Sequence, residues 1–179
     1  RSKQVSKPLR SELGIPPENP LVIGIGRISA QKDFATFIRV ANKVVASHPN
    51  VCFAIAGPNE DKTLAAALQK QISELCLDQR VFILGARNDV PALLEQSDVF
   101  LSTAIFEGHP LTSLEAMSLK KPVVAMDCLG LRECIQSGWD GLLVPLGDEE
   151  SCAKEVLRVL TDNTLGSSLG ERARTTVAS

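Results

Sequence analysis

The feature of this sequence that most constrains its fold is a regular alternation of two hydrophobic patterns. Short apolar runs, typical of strands buried on both faces, alternate with longer segments whose apolar residues recur every three or four positions, as in amphipathic helices. This alternation predicts β-α-β units, and hence an α/β domain with a parallel, Rossmann-like sheet flanked by helices. The predicted strands are Leu21–Gly26, Val51–Ala56, Val81–Leu84, Val99–Thr103, Val123–Met126 and Gly141–Val144.

The chain's 179 residues are enough for one domain with its own core. Residues 1–20 are polar and rich in proline, which predicts an interdomain linker with a short first helix at Lys7–Leu13. Residues 21–179 are predicted to form the domain itself. Further helices are predicted around residues 34–45, 64–75, 90–96, 110–118, 132–136, 153–160 and 165–177.

Composition narrows the classes of partner. A net charge of −2 does not favour bulk electrostatic binding of nucleic acid, and no apolar run is long enough to cross a membrane. The five cysteines are irregularly spaced and include no C-x-x-C pair, so they indicate neither a zinc site nor a disulfide framework. Reduced thiols are typical of a cytoplasmic protein.

The loop after the first strand carries two cations. Ligands of open parallel sheets bind at the carboxyl ends of the strands, and here Gly26 permits a close backbone approach while Arg27 and Lys32 suit a diphosphate. A solvated basic loop explains the same residues equally simply. A dinucleotide fingerprint fits poorly, because Ser29 stands where its third glycine belongs and Glu60 comes too late to bind a ribose.

The loop after the fourth strand leads into a helix with an exposed amino terminus. Pro110 suits the first helical position, so the amides of Leu111, Thr112 and Ser113 would lack helical partners and could bind an anion. Gly108 permits a close approach just before them.

Two glutamates and one histidine accompany this helix. Glu107 near the helix start can be merely a stabilising charge, whereas Glu115 stands among apolar sequence neighbours and is expected to need a polar partner. That partner can be a sugar hydroxyl, a backbone amide or an arginine. For His109, a solvated loop residue is a simpler interpretation than a catalytic base.

These motifs, in this order, resemble the retaining glycosyltransferases of the GT-B fold, specifically glycosyltransferase family 4. Glu107 and Glu115 have seven residues between them and follow a G-R-x4-K loop. This combination is the most specific part of the resemblance. The segments that carry it are Gly26–Asp33, Phe82–Leu94, Ser97–Met117, Lys120–Ala125 and the later G-L-R-E-C-I and D-G-L-L-V-P runs.

The resemblance implies a role for each matched residue. Glu107 would be the catalytic residue that contacts the donor sugar, Arg27 and Lys32 would hold its diphosphate, and Glu115 would bind the ribose. Backbone around Ala86, Arg87 and Asn88 would meet the base. The full donor-binding set implied is Gly26, Arg27, Lys32, Arg87, Gly108, His109, Pro110, Leu111, Thr112 and Glu115.

The resemblance also implies an activity and its setting. The chain would be the donor domain for transfer of a UDP- or GDP-linked sugar, with retention, to a glycan or lipid acceptor in polysaccharide or lipopolysaccharide synthesis. No cofactor is expected, and the absence of a D-x-D motif suits metal independence. The family's N-terminal acceptor domain is absent from this sequence, so the chain alone is expected to be inactive. That half would bring the enzyme to the inner face of the membrane.

Two alternatives stay open from the residues. One is another GT-B enzyme, such as a nucleotide-sugar 2-epimerase, and the other is a non-catalytic module that binds a nucleotide or a partner protein. Two departures from the family pattern put the sugar preference in doubt: Asp127–Gly130 replaces a Gly-Gly pair, and His109 stands where other residues are common.

Overall fold

The six predicted strands form one parallel sheet in a computed structural model that describes residues 8–178. The strands, in chain order, are β1 Leu21–Ile25, β2 Cys52–Ala56, β3 Val81–Gly85, β4 Val99–Ser102, β5 Val123–Met126 and β6 Leu142–Val144. Their order across the sheet is β3-β2-β1-β4-β5-β6. The α/β fold class predicted from hydrophobic alternation is therefore confirmed.

Eight helices are present among the described residues, and their positions follow the predicted ones closely. They are α1 Leu9–Leu13, α2 Phe34–Ser47, α3 Lys62–Glu74, α4 Val90–Gln96, α5 Leu111–Ser118, α6 Leu131–Cys134, α7 Glu149–Thr161 and α8 Asn163–Ala178. A 3-10 turn at Ala30–Lys32 was not predicted, because it is too short to show a hydrophobic period.

Each strand contributes to two apolar layers because successive side chains point to opposite faces of the sheet. In β1, Val22 enters one layer, whereas Leu21, Ile23 and Ile25 enter the other. Helices α2, α3 and α7 cover the first layer, and α1, α4, α5 and α6 cover the second. Helix α8 packs against both α5 and α7.

The sheet reverses its direction of growth between β1 and β4. From β1 the chain proceeds outward through β2 and β3, then returns to pair β4 with β1 on the opposite side and continues through β5 and β6. Loops that follow strands on either side of such a reversal diverge and leave a crevice, which is where ligands of open parallel sheets bind. The loops after β1 and β4 are the two that the sequence marked as chemically interesting.

Residues 8–20, which the sequence assigned to a linker, pack onto the sheet. Leu9 and Ile15 are buried in the second apolar layer, and the guanidinium of Arg10 pairs with Asp98 at 2.8 Å. Lys7, predicted to start the first helix, lies outside the described residues. The division into linker and domain stays a prediction, but this part of the segment belongs to the core.

Candidate functional site

The loops after β1 and β4 meet through an ion pair. The ammonium of Lys32 contacts Oε1 of Glu107, and both side chains are largely buried, with 18% and 5% of their surfaces exposed. A buried charge is stable only when it is paired or hydrogen-bonded, so each residue depends on the other. The structure thus joins two residues that the sequence selected separately.

The turn that carries Lys32 is fixed by a threonine from the loop after β4. The hydroxyl of Thr103 lies 3.1 Å from the carbonyl oxygen of Lys32 and 2.9 Å from that of Asp33. Asp33 adopts the left-handed conformation, with φ of 44°, and its carboxylate accepts from the amide of Thr36 at 3.2 Å to cap α2. The Lys32 turn is therefore held between a helix cap and the neighbouring strand's loop.

Glu107 is supported from behind by the segment after β5. Its amide donates to the carbonyl of Leu129 at 3.3 Å, and a Cβ atom placed on Gly130 would lie 1.8 Å from the carbonyl oxygen of Glu107. Gly130 has φ of 92°, which also favours glycine. The segment Asp127–Gly130, noted as a departure from the family's Gly-Gly pair, thus retains one glycine where the backbone of Glu107 requires it.

Gly26 leaves room for the side chain that it faces. A Cβ atom at this position would lie 2.6 Å from Cε of Lys32, so the Lys32 side chain runs across the bare backbone. The next strand's loop supports it, because a Cβ on Gly57 would lie 1.8 Å from the carbonyl oxygen of Gly26. Two glycines therefore allow the lysine to reach Glu107.

Helix α5 starts one residue later than predicted. Pro110 caps the helix instead of occupying its first turn, because its ψ of 52° lies outside the helical range, and the amide of Leu111 donates to His109 at 2.8 Å. The first helical bond runs from Leu114 to Pro110, which leaves the amides of Thr112 and Ser113 ahead of it. The Thr112 side chain donates to the carbonyl of Ile25 at 3.2 Å and ties α5 to β1.

Arg27, the second predicted cation, remains free to move toward a ligand. Its side chain is 59% exposed, and its guanidinium lies 3.8 Å from Oε2 of Glu60, which is 70% exposed. An exposed pair at this distance contributes little stability. Arg27 can therefore leave Glu60 at small cost when an anion enters the crevice.

Arg87 is engaged within the protein. It donates to both carboxylate oxygens of Asp89, at 2.9 and 2.8 Å, and to Glu12 at 2.8 Å. These bonds hold the pKa of Asp89 below its usual range and raise the pKa of Arg87. The side chain of Arg87 thus secures the loop after β3. Because its guanidinium is already bonded, the part of residues 86–88 available to a ligand is their backbone.

Glu115 occupies a different setting from the one predicted. Its sequence neighbours Ala116 and Met117 are buried, but each helical residue turns by about 100°, and Glu115 is exposed. It lines a groove between α5, α6 and the end of α8, together with Leu111, Glu133 and Cys134. The expectation that Glu115 needs a polar partner because of an apolar setting is therefore wrong, since its side chain is exposed to solvent.

Three more of the predicted residues, around the start of α5, are exposed to solvent. Gly108 and His109 are exposed, and Leu111 is 63% exposed. Ile105 and Phe106, just before Glu107, are each about half exposed. The loop after β4 thus buries Glu107 while it presents apolar side chains to solvent.

A second cavity, of about 400 Å³, lies at the opposite end of the sheet near the start of β4. Its cations are engaged: Arg10 pairs with Asp98, and the ammonium of Lys121 donates to the carbonyls of Glu95 and Ser97, each at 2.8 Å. Burial lowers the pKa of Lys121. The bonds from Lys121 satisfy carbonyl oxygens at the carboxyl end of α4, so the cations in this cavity have a structural role.

Metal-ligating clusters, disulfides and helices able to cross a membrane are all lacking among residues 8–178. No group of three His, Cys, Asp or Glu side chains in that range is arranged to hold a metal ion. The five cysteines, all within it, are free thiols. None of the helices described combines the length and apolar character needed to cross a membrane.

Sequence reasoning did not single out the residues that support the ion pair. Thr103 and Gln31 both lie inside the two motifs, but no local pattern gives either of them a role. Gly57 and Gly130 each follow a strand, which is a usable signal because glycine there often marks a close backbone approach. The contacts they serve join loops far apart in the chain, which no local pattern reports.

Fold and site together define a class of protein: an open parallel α/β domain whose crevice at the strand reversal offers cations and helix amides to an anionic ligand. The chain belongs to the family of glycosyl transferases group 1, whose model matches residues 5–176. Its fold is that of the C-terminal domain of GT-B enzymes: the C-terminal domain of the group 1 glycosyl transferase LpcC from Francisella tularensis superimposes with a TM-score of 0.83 at 23% identity, covering 94% of this chain and 88% of that one.

Two further relatives are longer than this chain. An Escherichia coli UDP-Gal:alpha-D-GlcNAc-diphosphoundecaprenol alpha-1,3-galactosyltransferase is 30% identical over 155 residues, which is 86% of this chain and 40% of that enzyme. Anabaena HepE, solved in complex with UDP-glucose, superimposes with a TM-score of 0.89 at 26% identity over 95% of this chain and 46% of its own. The chain therefore spans less than half the length of both.

Proposed function

We propose that this chain binds a nucleotide-diphospho-sugar, most simply a UDP-sugar, in the crevice between the loops after β1 and β4. In this proposal it is the donor half of a retaining hexosyltransferase. The observation that carries the proposal is the buried pair of Lys32 and Glu107, which places a cation and a carboxylate side by side at the strand reversal.

Lys32 is suited to the diphosphate because of what surrounds it. Its ammonium is held beside Glu107. Glu107 in turn comes a few residues before the amides of Thr112 and Ser113, which precede the first helical hydrogen bond of α5. When the sugar–phosphate bond breaks, the departing diphosphate gains negative charge. Lys32, the helix amides and the exposed Arg27 can stabilise that charge electrostatically, so we propose that no divalent metal is required.

Glu107 is suited to the sugar. A carboxylate offers about four lone-pair sites, and one ammonium fills only part of that capacity. Glu107 can therefore accept hydrogen bonds from sugar hydroxyls while it stays paired with Lys32. Because one ion pair would then contact both the sugar and the diphosphate, it would hold the bond between them in place for reaction.

Glu115 and the loop after β3 are proposed to hold the nucleoside. Glu115 is exposed on α5, the helix whose first turn would bind phosphate, and it is free to accept from ribose hydroxyls. The guanidinium of Arg87 is occupied by Asp89 and Glu12, so it would act by fixing the backbone at residues 86–88 against the base. We expect no direct contact from the Arg87 side chain.

The acceptor and the completed reaction belong to a longer protein in this proposal. Relatives with names that specify an acceptor are more than twice as long as the matched region, and the Escherichia coli enzyme is named for a diphosphoundecaprenol-linked acceptor. We propose that a further half binds a glycan or lipid acceptor, closes over the crevice and associates with the inner face of the membrane. The chain alone is then expected to bind donor without transferring sugar, and turnover of UDP-glucose by this chain would contradict that part.

Calorimetric titration of the chain with UDP, GDP and ADP tests the proposal. We expect UDP to bind, and we expect Lys32→Ala and Glu115→Ala each to weaken binding by roughly tenfold or more, the loss of one charged hydrogen bond being about 1.5–3 kcal/mol. Lys43→Ala is the matched control, because Lys43 forms an exposed ion pair with Glu150, at 3.3 Å, between α2 and α7. A folded chain that binds none of the three nucleotides, or that binds UDP equally well without Lys32, would contradict the proposal.

A further inference from the structure

The residues immediately before Lys32 and Glu107 are joined to each other. The side-chain amide of Gln31 donates to the carbonyl of Phe106 at 2.8 Å, and the amide of Ile105 donates to the carbonyl of Gln31 at 3.0 Å. Gln31 therefore uses its side chain and its backbone to bind two successive residues of the opposite loop. Both bonds lie next to the ion pair, because Gln31 precedes Lys32 by one residue and its two partners precede Glu107 by one and two.

Packing holds the tip of this loop only in part, although Thr103, Ala104 and Glu107 on either side of it are buried. Ile105 and Phe106 are 49% and 48% exposed, so their apolar surface is only half removed from water. A segment with little buried apolar area depends on its hydrogen bonds for local order. Besides the Lys32–Glu107 pair, these bonds include those from Gln31 and Ile105, the contacts of Thr103 with the Lys32 turn, and the bond from Glu107 to Leu129.

We propose that Gln31 is a positioning residue that sets the spacing between Lys32 and Glu107. This inference rests on the proposed function, because the spacing matters only if the two side chains contact the diphosphate and the sugar of one donor. Gln31 itself touches neither. Its side-chain amide holds the loop that carries Glu107 in register with the turn that carries Lys32, so that a donor meets both charges already in place.

The chemistry requires an amide of this length. The reach to Phe106 needs a neutral N–H donor at the end of a two-carbon side chain, which glutamine supplies and methionine, of similar size, does not. Glutamate would lack the donor and would bring a second carboxylate beside Glu107. Gln31→Met therefore removes the bond while preserving volume and charge.

A matched control exists elsewhere in the chain. The side-chain amide of Gln71 donates to the carbonyl of Ala35 at 3.0 Å, so it joins α3 to the first turn of α2 instead of joining the loops after β1 and β4. Gln71→Met removes a bond of the same kind between two other elements. Any effect that the two variants share reflects general loss of a hydrogen bond, and any effect peculiar to Gln31→Met reflects the site.

The test combines a measurement on the free protein with one on the complex. Amide hydrogen exchange is followed at Ile105 and Glu107, and affinities for UDP and for uridine are measured by calorimetry and NMR titration. For Gln31→Met we expect both amides to exchange about 3- to 10-fold faster and UDP to bind about 3- to 10-fold more weakly, in line with one net hydrogen bond. We expect uridine binding and the midpoint of thermal unfolding to match those of Gln71→Met.

Three results would overturn the inference. They are unchanged UDP affinity in Gln31→Met, equal weakening of UDP and uridine, and equal effects of Gln31→Met and Gln71→Met on the two amides. A wild-type chain that binds no nucleotide would overturn the proposed function and this inference together. UDP binding that Gln31→Met leaves unchanged overturns this inference alone.

Discussion

Lys32 and Glu107, 75 residues apart in the chain, form a largely buried ion pair at the point where the sheet reverses its direction. The pair ties the loop after β1 to the loop after β4. The hydrogen bonds of Thr103 and of the Glu107 amide each hold one of these two loops in place. Stability and the proposed ligand binding therefore depend on the same contact.

The first prediction concerns the stability of this pair. Lys32→Met leaves the Glu107 carboxylate buried without its cation, which is expected to cost about 3 kcal/mol of unfolding free energy in guanidinium titrations. The double variant Lys32→Met/Glu107→Leu removes both charges and should be more stable than Lys32→Met. Lys43→Met, which breaks an exposed pair, should change the unfolding free energy by less than about 0.5 kcal/mol. Additive losses in the double variant would show that the two charges are independent.

The second prediction concerns the backbone behind Glu107. Gly130→Ala places a methyl group against the carbonyl oxygen of Glu107 and strains a residue with φ of 92°, so we expect a loss of about 3 kcal/mol or more together with weakened UDP binding. Gly138 also has positive φ, at 81°, but open space around its Cα. Gly138→Ala should therefore cost only about 1–2 kcal/mol, from the backbone alone, and leave UDP binding unchanged. Equal losses in the two variants would remove the role assigned to the close approach.

The alternation of hydrophobic patterns was sufficient to predict the sheet, because burial on both faces forces continuous apolar strands such as Val123–Met126. Arg27, Lys32 and Glu107 were identifiable because charged residues after buried strands have to lie at the sheet edge. The contact between Lys32 and Glu107 was not predictable from the sequence, since it depends on which strands become neighbours in the sheet. Glu115 was misplaced because sequence neighbours say little about burial on a helix, where Ala116 faces inward and Glu115 does not.

The third prediction uses the pH dependence of the loop after β3. Because Arg87 donates to Asp89, the carboxyl pKa in the folded protein lies below its ordinary value of 3.8, so the folded state binds that proton less tightly than the unfolded chain. The stabilisation is therefore present above pH 3.8 and is lost as the pH falls through the folded-state pKa. Asp89→Asn should cost up to about 1 kcal/mol near neutral pH, limited by partial screening from water, and nothing in strong acid. A cost that stays constant with pH would contradict the assignment.

The fourth prediction concerns the thiols. Cys52, Cys128 and Cys152 are buried, and burial raises the pKa of Cys152 to about 12, so that it carries almost no thiolate at mildly alkaline pH. Cys76 is exposed. A disulfide reagent should therefore modify Cys76 first and Cys134 more slowly, and should reach all five cysteines only after unfolding. Cys76→Ser should abolish the fast phase, and fast modification of a buried thiol would indicate that its layer of the core opens readily.

The most direct test of the central claim is to locate the nucleotide on this chain by NMR. Amide shifts are followed as UDP is added, comparing residues 26–32 and 107–113 with residues around the opposite cavity, such as Arg10, Ser97 and Lys121. We predict that the largest changes fall at Gly26, Lys32 and the first turn of α5, and that Lys32→Ala needs about tenfold more UDP, or more still, to reach the same changes. Largest changes around Lys121, or the same dependence on UDP concentration without Lys32, would contradict the account.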